Sequence, residues 1–262
     1  MNRSLLKFFL LVFALTMPVW LIGGIPLPGP SSFPLTLNVL IQPFVPLIAA
    51  LVLVHMEEGR GGVRGLLKRT FDYRRIRNRK WYVPIIFLAP LIYLLTYGVV
   101  ALARLPSSGA HTPFLAIPIL FVVFFILGAG EELGWMGYTA DPMQERRSAL
   151  STGIILGLVW AIWHFVPLIQ MGRTLTWIAW WTLYTVALRI LIVWPYNNTG
   201  KSVFAAIVFH ATSNLSLPAF PMDYDYASVQ FTIGTITALA AAIVSFLWGS
   251  KTLARFRYAD LR

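Results

Sequence analysis

The chain contains no cysteine in its 262 residues, which removes disulfides, thiolate metal sites and a cysteine nucleophile from consideration. It is also short of charge. Only 12% of its residues are Asp, Glu, Lys or Arg, about half the usual share in a soluble domain. Acids are scarcest, with ten in all, and there are four histidines. Together with 58% hydrophobic residues and a mean hydropathy of +0.71, this excludes an ordinary soluble domain.

What the chain does have is long apolar runs. Crossing a hydrocarbon core takes roughly 20 mostly apolar residues. Eight such segments can be drawn, at about 5–27, 35–55, 81–103, 113–133, 150–170, 174–194, 202–219 and 229–249. In lipid each backbone must satisfy its own hydrogen bonds, which favours helices. A transmembrane barrel would show short alternating strands instead of unbroken runs. The expected fold is all-α: a polytopic integral membrane bundle of about eight transmembrane helices, one domain over 1–262, without internal repeats or a low-complexity linker. The first run follows Arg3 and Lys7 and ends in Pro-Gly turns without a small-residue cleavage site. It reads as a retained helix rather than a signal peptide.

The net charge of +11 raises the question of nucleic acid, but its placement answers it. Nine Lys/Arg fall between Arg60 and Lys80, beside membrane segments and in too short a stretch for a domain of their own. Such a loop reads as a topology signal facing anionic lipid headgroups, so no nucleic-acid partner is expected. With eight spans and an inside N-terminus, every Lys and Arg except Arg104, Arg173 and Arg189 falls on the inner side. Both termini are therefore expected in the cytoplasm.

Against this apolar background, three motifs place ionisable or amide side chains inside predicted spans: Glu131-Glu132 in GAGEELGWMGY, His164 in WAIWHFVP, and His210 with Asn214 in FHATSN. Polar groups at such depth are costly unless paired or hydrated, which makes them candidates for function. Adjacent helical residues diverge by about 100°, so one carboxylate can face a cavity while the other makes a structural contact. His210 and Asn214, four apart, share one helix face. One carboxylate, two imidazoles and one amide suit a hydrolase in which Glu131 activates water and the His and Asn groups stabilise a tetrahedral oxyanion. The metal alternative has Glu131, His164 and His210 ligating zinc with one position open for water, although HExxH is absent.

The ordered motifs resemble those of the CAAX prenyl protease and bacteriocin-processing family of intramembrane proteases, also called the ABI, CPBP or type II CAAX endopeptidase family. The resemblance covers roughly 130–215: Glu131-Glu132 through Met136, Trp160 through His164, and His210 through Asn214, with Tyr196–Ser202 similar to the family's turn into its last motif helix. It implies Glu131 as the water-activating carboxylate with His164 as its partner. It likewise implies an oxyanion side formed by His210 and Asn214, and a supporting role for Glu132. It further implies an eight-span fold, a cavity open to the cytosol, and peptide substrates that include prenylated C-a-a-X or bacteriocin-like sequences. One position departs from the pattern, with Met136 where the family has Arg. If that Arg pairs with Glu132, the second carboxylate lacks its partner here; Arg189, or Arg146 or Arg147, is placed to substitute.

Trp160 and Arg189 join Glu132 as supporting residues. The expectation is therefore a multi-pass membrane endopeptidase, of the plasma membrane in a prokaryote, with zinc as the one candidate cofactor. Two rivals remain. One is a catalytically degraded member that binds a peptide or lipid, and the other is a proton-coupled transporter using Glu131, His164 and His210 as a relay. The ten Trp and ten Tyr residues are expected mostly in the aromatic belts at the two interfaces.

Overall fold

The computed structural model describes residues 4–23, 25, 36–107 and 112–254. Arg3, Arg255, Arg257 and Arg262, used in the topology argument, lie outside the described residues. Those described form helices and connecting turns: α1 (Leu5–Gly23), α2 (Leu37–Ile41), α3 (Val45–Lys68), α4 (Tyr82–Leu102), α5 (Ile117–Gly134), α6 (Asp141–Gln144), α7 (Ala149–Gln170), α8 (Leu175–Asn198), α9 (Val203–Ala219) and α10 (Ala227–Trp248). Seven helical stretches among them are long and apolar enough to cross a membrane. The chain is thus an all-helical, multi-pass integral membrane protein, as the apolar runs require.

The eighth predicted span, α9, is shorter. Its 17 residues give about 25 Å of helix, less than the roughly 30 Å hydrocarbon core. It tolerates this because it sits inside the bundle, packed by α4, α5 and α8 and buried almost continuously from Val203 to Ser213. A helix wrapped in protein has no need to match the lipid, and polar residues on it are shielded.

Two predicted boundaries move. The second span does not stop near residue 55. A short 3-10 turn at Gln42–Phe44 joins α2 to α3, and α3 runs on to Lys68 with a break at Gly59, whose φ of 66° lies in the left-handed region open to glycine. Nor does the fourth span end at Glu131-Glu132. A π-helical turn, Trp135–Ala140, continues α5 into α6, so about three turns of helix follow the acidic pair. The π turn is made of buried residues, Met136 among them.

The tryptophans contribute to the interior. Five of the ten (Trp135, Trp160, Trp163, Trp177 and Trp194) are buried, and Trp135 packs edge-on against Trp163 at 5.7 Å between ring centroids. These indoles fill the interior between helices, where their large area stabilises packing; the N–H groups of Trp160, Trp163 and Trp177 find acceptors, whereas those of Trp135 and Trp194 have none.

Candidate functional site

The site is built from α5, α7, α8 and α9. Close helix approach sets its geometry: a Cβ on Gly157 of α7 would lie 2.7 Å from Val186 Cα and 3.2 Å from Arg189 Cβ. Only glycine lets α7 come this near α8 and bring Trp160 over Arg189. Small residues at such crossings are the usual means of packing membrane helices.

Glu132 is fully buried and is not alone. Arg189 Nη1 donates to both of its carboxylate oxygens, at 2.9 and 2.7 Å, and His210 Nδ1 lies 2.8 Å from its Oε1. A carboxylate can only accept, so His210 carries its proton on Nδ1. The expected missing partner is therefore supplied from α8, while Met136 is fully buried in the π turn. Arg189 is itself fully buried, stacks 4.3 Å from the Trp160 ring centroid, and has two nitrogens, Nε and Nη2, without a hydrogen-bond partner.

Glu131 points elsewhere, as the 100° divergence of neighbours demands. It accepts a hydrogen bond from Trp160 Nε1 at 2.5 Å and keeps 6% of its surface exposed. His164 is half-buried, with Nδ1 2.9 Å from the Trp160 carbonyl oxygen one turn earlier. That contact places the proton on Nδ1 and leaves Nε2 as an acceptor in the neutral ring. The His164 ring lies among Trp160, Trp163 and Trp181, with centroids at 5.6, 4.7 and 5.3 Å. The His210 ring meets Trp160 at 5.2 Å.

Trp160 is thus the common neighbour of Glu131, His164, His210 and Arg189. The predicted residues divide into two layers. Glu132, Arg189 and His210 form a closed layer, each at most 1% exposed, whereas Glu131 and His164 retain access. Asn214 is half-buried one turn beyond His210 on α9 and hydrogen-bonds to none of the other site residues.

The zinc arrangement fits less well. Among the described residues no group of three or more His, Cys, Asp or Glu side chains is placed to hold a metal ion. Glu132 is engaged with Arg189, and both imidazole Nδ1 atoms are committed. Glu131, His164 and His210 are therefore not gathered as a ligand set.

The sequence left other contributions unseen. Ser213, beside Asn214, shares a hydrogen bond with the Tyr184 hydroxyl at 2.8 Å, and Tyr184 another with Tyr93 at 3.1 Å, tying α9 to α8 and α4. At the start of α9, Asp72 accepts from the Ser202 hydroxyl at 2.7 Å and from the Phe204 backbone N–H at 3.0 Å. Arg69 donates to the carbonyls of Gly137 and Lys201 and to the Tyr196 hydroxyl, at 2.9, 2.8 and 3.0 Å. It links the turn that follows α3 to the π turn, α8 and the turn into α9. None of these contacts has a local signature in the sequence, because each joins residues 29 or more positions apart.

Comparison with known proteins finds similarity over the same part of the chain. Residues 113–216 match the family model described as Type II CAAX prenyl endopeptidase Rce1-like. Over 91% of its length the chain is similar, at 26% identity, to a protein of Methanococcus maripaludis named CAAX prenyl protease 2, of which 92% is covered. The match runs from α5 into α9 and spans Glu131, Glu132, Trp160, His164, Arg189, His210 and Asn214, so the region that holds the site is similar to the Rce1-like type II CAAX prenyl endopeptidases, a family of membrane proteases.

Proposed function

We propose that this protein is an intramembrane endopeptidase that hydrolyses a peptide bond with water activated by Glu131. The observation that carries the reading is the division of the acidic pair. Arg189 and His210 hold Glu132, whereas Glu131, with only an indole N–H on Oε2, remains accessible. Glu131 then takes the proton of a water whose other side is oriented by the Nε2 lone pair of His164. The water oxygen attacks the scissile carbonyl and forms a tetrahedral oxyanion. The Asn214 amide donates to that oxygen, as does His210 when its Nε2 also carries a proton, with Glu132 accepting from Nδ1. Collapse breaks the C–N bond, and the proton held by Glu131 passes to the leaving amine. Trp160 orients the Glu131 carboxylate, and Arg189 fixes the Glu132–His210 pair.

By likeness to those endopeptidases, the proposed substrate is a peptide ending in a prenylated C-a-a-X sequence, or a related bacteriocin-like peptide, entering from the cytosolic side at the bundle end that carries Arg60–Lys80. The test uses purified protein in liposomes and a farnesylated C-a-a-X peptide. Wild type is expected to release the C-terminal tripeptide, and Glu131→Gln to lose activity by a factor on the order of 10² or more. Cleavage that persists in Glu131→Gln, or no cleavage by wild type, would defeat the reading.

A further inference from the structure

Gln42 is a polar residue inside the bundle that no motif singled out. It opens the 3-10 turn between α2 and α3, is 3% exposed, and its Nε2 donates to the Trp163 carbonyl at 3.1 Å. That carbonyl needs a donor for a definite reason. In α7 the usual partner would be the N–H four residues on, but residue 167 is proline and has none. A freed carbonyl at membrane depth must be satisfied by a neighbour, and Gln42 is that neighbour. The residue after Trp163 is His164.

The same turn also lies against the other half of the site. A Cβ on Gly130 would fall 2.7 Å from the Pro43 carbonyl oxygen, so the backbone beside Gln42 rests on α5 one residue before Glu131. The amide's orientation is fixed as well, since a carbonyl can only accept and must face Nε2. Oε1 is then left buried and without a partner.

We propose that Gln42 is a positioning residue of the site: it fixes the turn of α7 that carries His164 relative to the helix that carries Glu131. This rests on the endopeptidase reading for its meaning in catalysis, but the placement of His164 can be measured without any cleavage.

The experiment compares wild type with Gln42→Met, which keeps the length and removes both polar atoms, and Gln42→Glu, whose protonated carboxyl can again donate to the Trp163 carbonyl. Imidazole nitrogen resonances are recorded on protein in nanodiscs, with His55 as the internal control. Activity on the farnesylated peptide is measured in parallel. In Gln42→Met the His164 signals should shift or broaden while those of His55 stay put. The turnover number should fall by a factor on the order of ten to a hundred, as small misplacements of reacting groups do. Gln42→Glu should restore the His164 signals and part of the activity, relative to wild type at the same pH, on the acid side only. A fall in kcat at constant KM supports the positioning role, and a rise in KM with kcat unchanged counts against it. Unchanged His164 signals in Gln42→Met, or a wild-type kcat and KM, overturn the proposal. If wild type cleaves nothing, the endopeptidase reading fails, and the His164 signals alone decide for or against Gln42.

Discussion

Two ion-pair clusters hold α9, one at its first turn and one at its middle, and they work under opposite conditions. At the first turn Asp72 meets Arg69 and Arg75 at 3.8 and 3.4 Å, with Arg75 about half exposed. At the middle, Glu132 meets Arg189 and His210 at 2.7 and 2.8 Å, with both members of the Glu–Arg pair at 0% exposure. Water and salt screen the first cluster, where an isolated pair contributes little. Nothing screens the second, and its partners depend on one another because either charge alone would be stranded. The first cluster's main contribution comes from the backbone N–H and hydroxyl groups that Asp72 accepts at the start of a helix, where negative charge is favoured. The second fixes which carboxylate of the acidic pair is structural.

The sharpest way to break this contrast is Arg189→Met. It leaves Glu132 buried without its cation, at an expected loss of about 3–5 kcal/mol, and it frees His210 from a fixed counter-ion. Thermal unfolding in detergent should fall further than for any single substitution in the first-turn cluster, with activity lost. The cation can then be returned from the other direction. Residue 136 is four positions after Glu132, within reach along the same helical rod, so Arg189→Met combined with Met136→Arg should recover part of the melting temperature. A double variant no more stable than Arg189→Met alone would show that position 136 cannot serve Glu132 in this fold.

That exchange also marks how far the sequence could be read. The spans were legible because apolar length is a local property, and the three motifs were legible because polar side chains in apolar runs stand out. Arg189 was visible as a candidate partner for Glu132, but its choice over Arg146 and Arg147 depended on the crossing of α7 and α8 at Gly157, which only the three-dimensional packing fixes. Trp160 was read as a supporting residue beside His164, while its role as common neighbour of four site residues needed α5, α8 and α9 to close around it. Gln42 carried no signal at all, since the carbonyl it satisfies is freed by a proline 125 positions away. The extension of α5 through the π turn was hidden for a different reason. Glycine and proline are poor helix formers, and the stretch after the acidic pair holds Gly134, Gly137 and Pro142, yet the two glycines are places where other segments pack tightly, against Pro46 and Leu66.

A smaller effect is expected at the first turn. Asp72→Ala removes the acceptor for Ser202 and for the Phe204 N–H, at about 0.5–2 kcal/mol by comparison with lost helix caps. Because α9 carries His210 and Asn214, fraying its first turn should lower kcat on the farnesylated peptide more than it raises KM. Backbone hydrogen exchange at residues 203–206 should rise in the same variant. If exchange rises and kcat does not change, the middle cluster alone holds His210 in register, and the two clusters are energetically separate.

The least effect belongs to Arg75→Ala. Arg75 donates to the Gly200 carbonyl at 3.0 Å and faces Asp72, but its side chain is 52% exposed. Water can replace both contacts, so the expected change is about 0–1 kcal/mol and should shrink further as salt is raised. Arg69 offers the internal contrast, because it belongs to the same basic stretch and differs only in what it touches. Its three donor contacts go to groups on the π turn, α8 and the turn into α9, so Arg69→Ala should exceed Arg75→Ala in any measure of stability, and raised salt should leave most of its effect in place. Equal, salt-sensitive losses at both positions would mean that the basic stretch acts as a diffuse field, as its composition alone suggests, and that the hydrogen bonds of Arg69 do not tie α9 to the rest of the bundle.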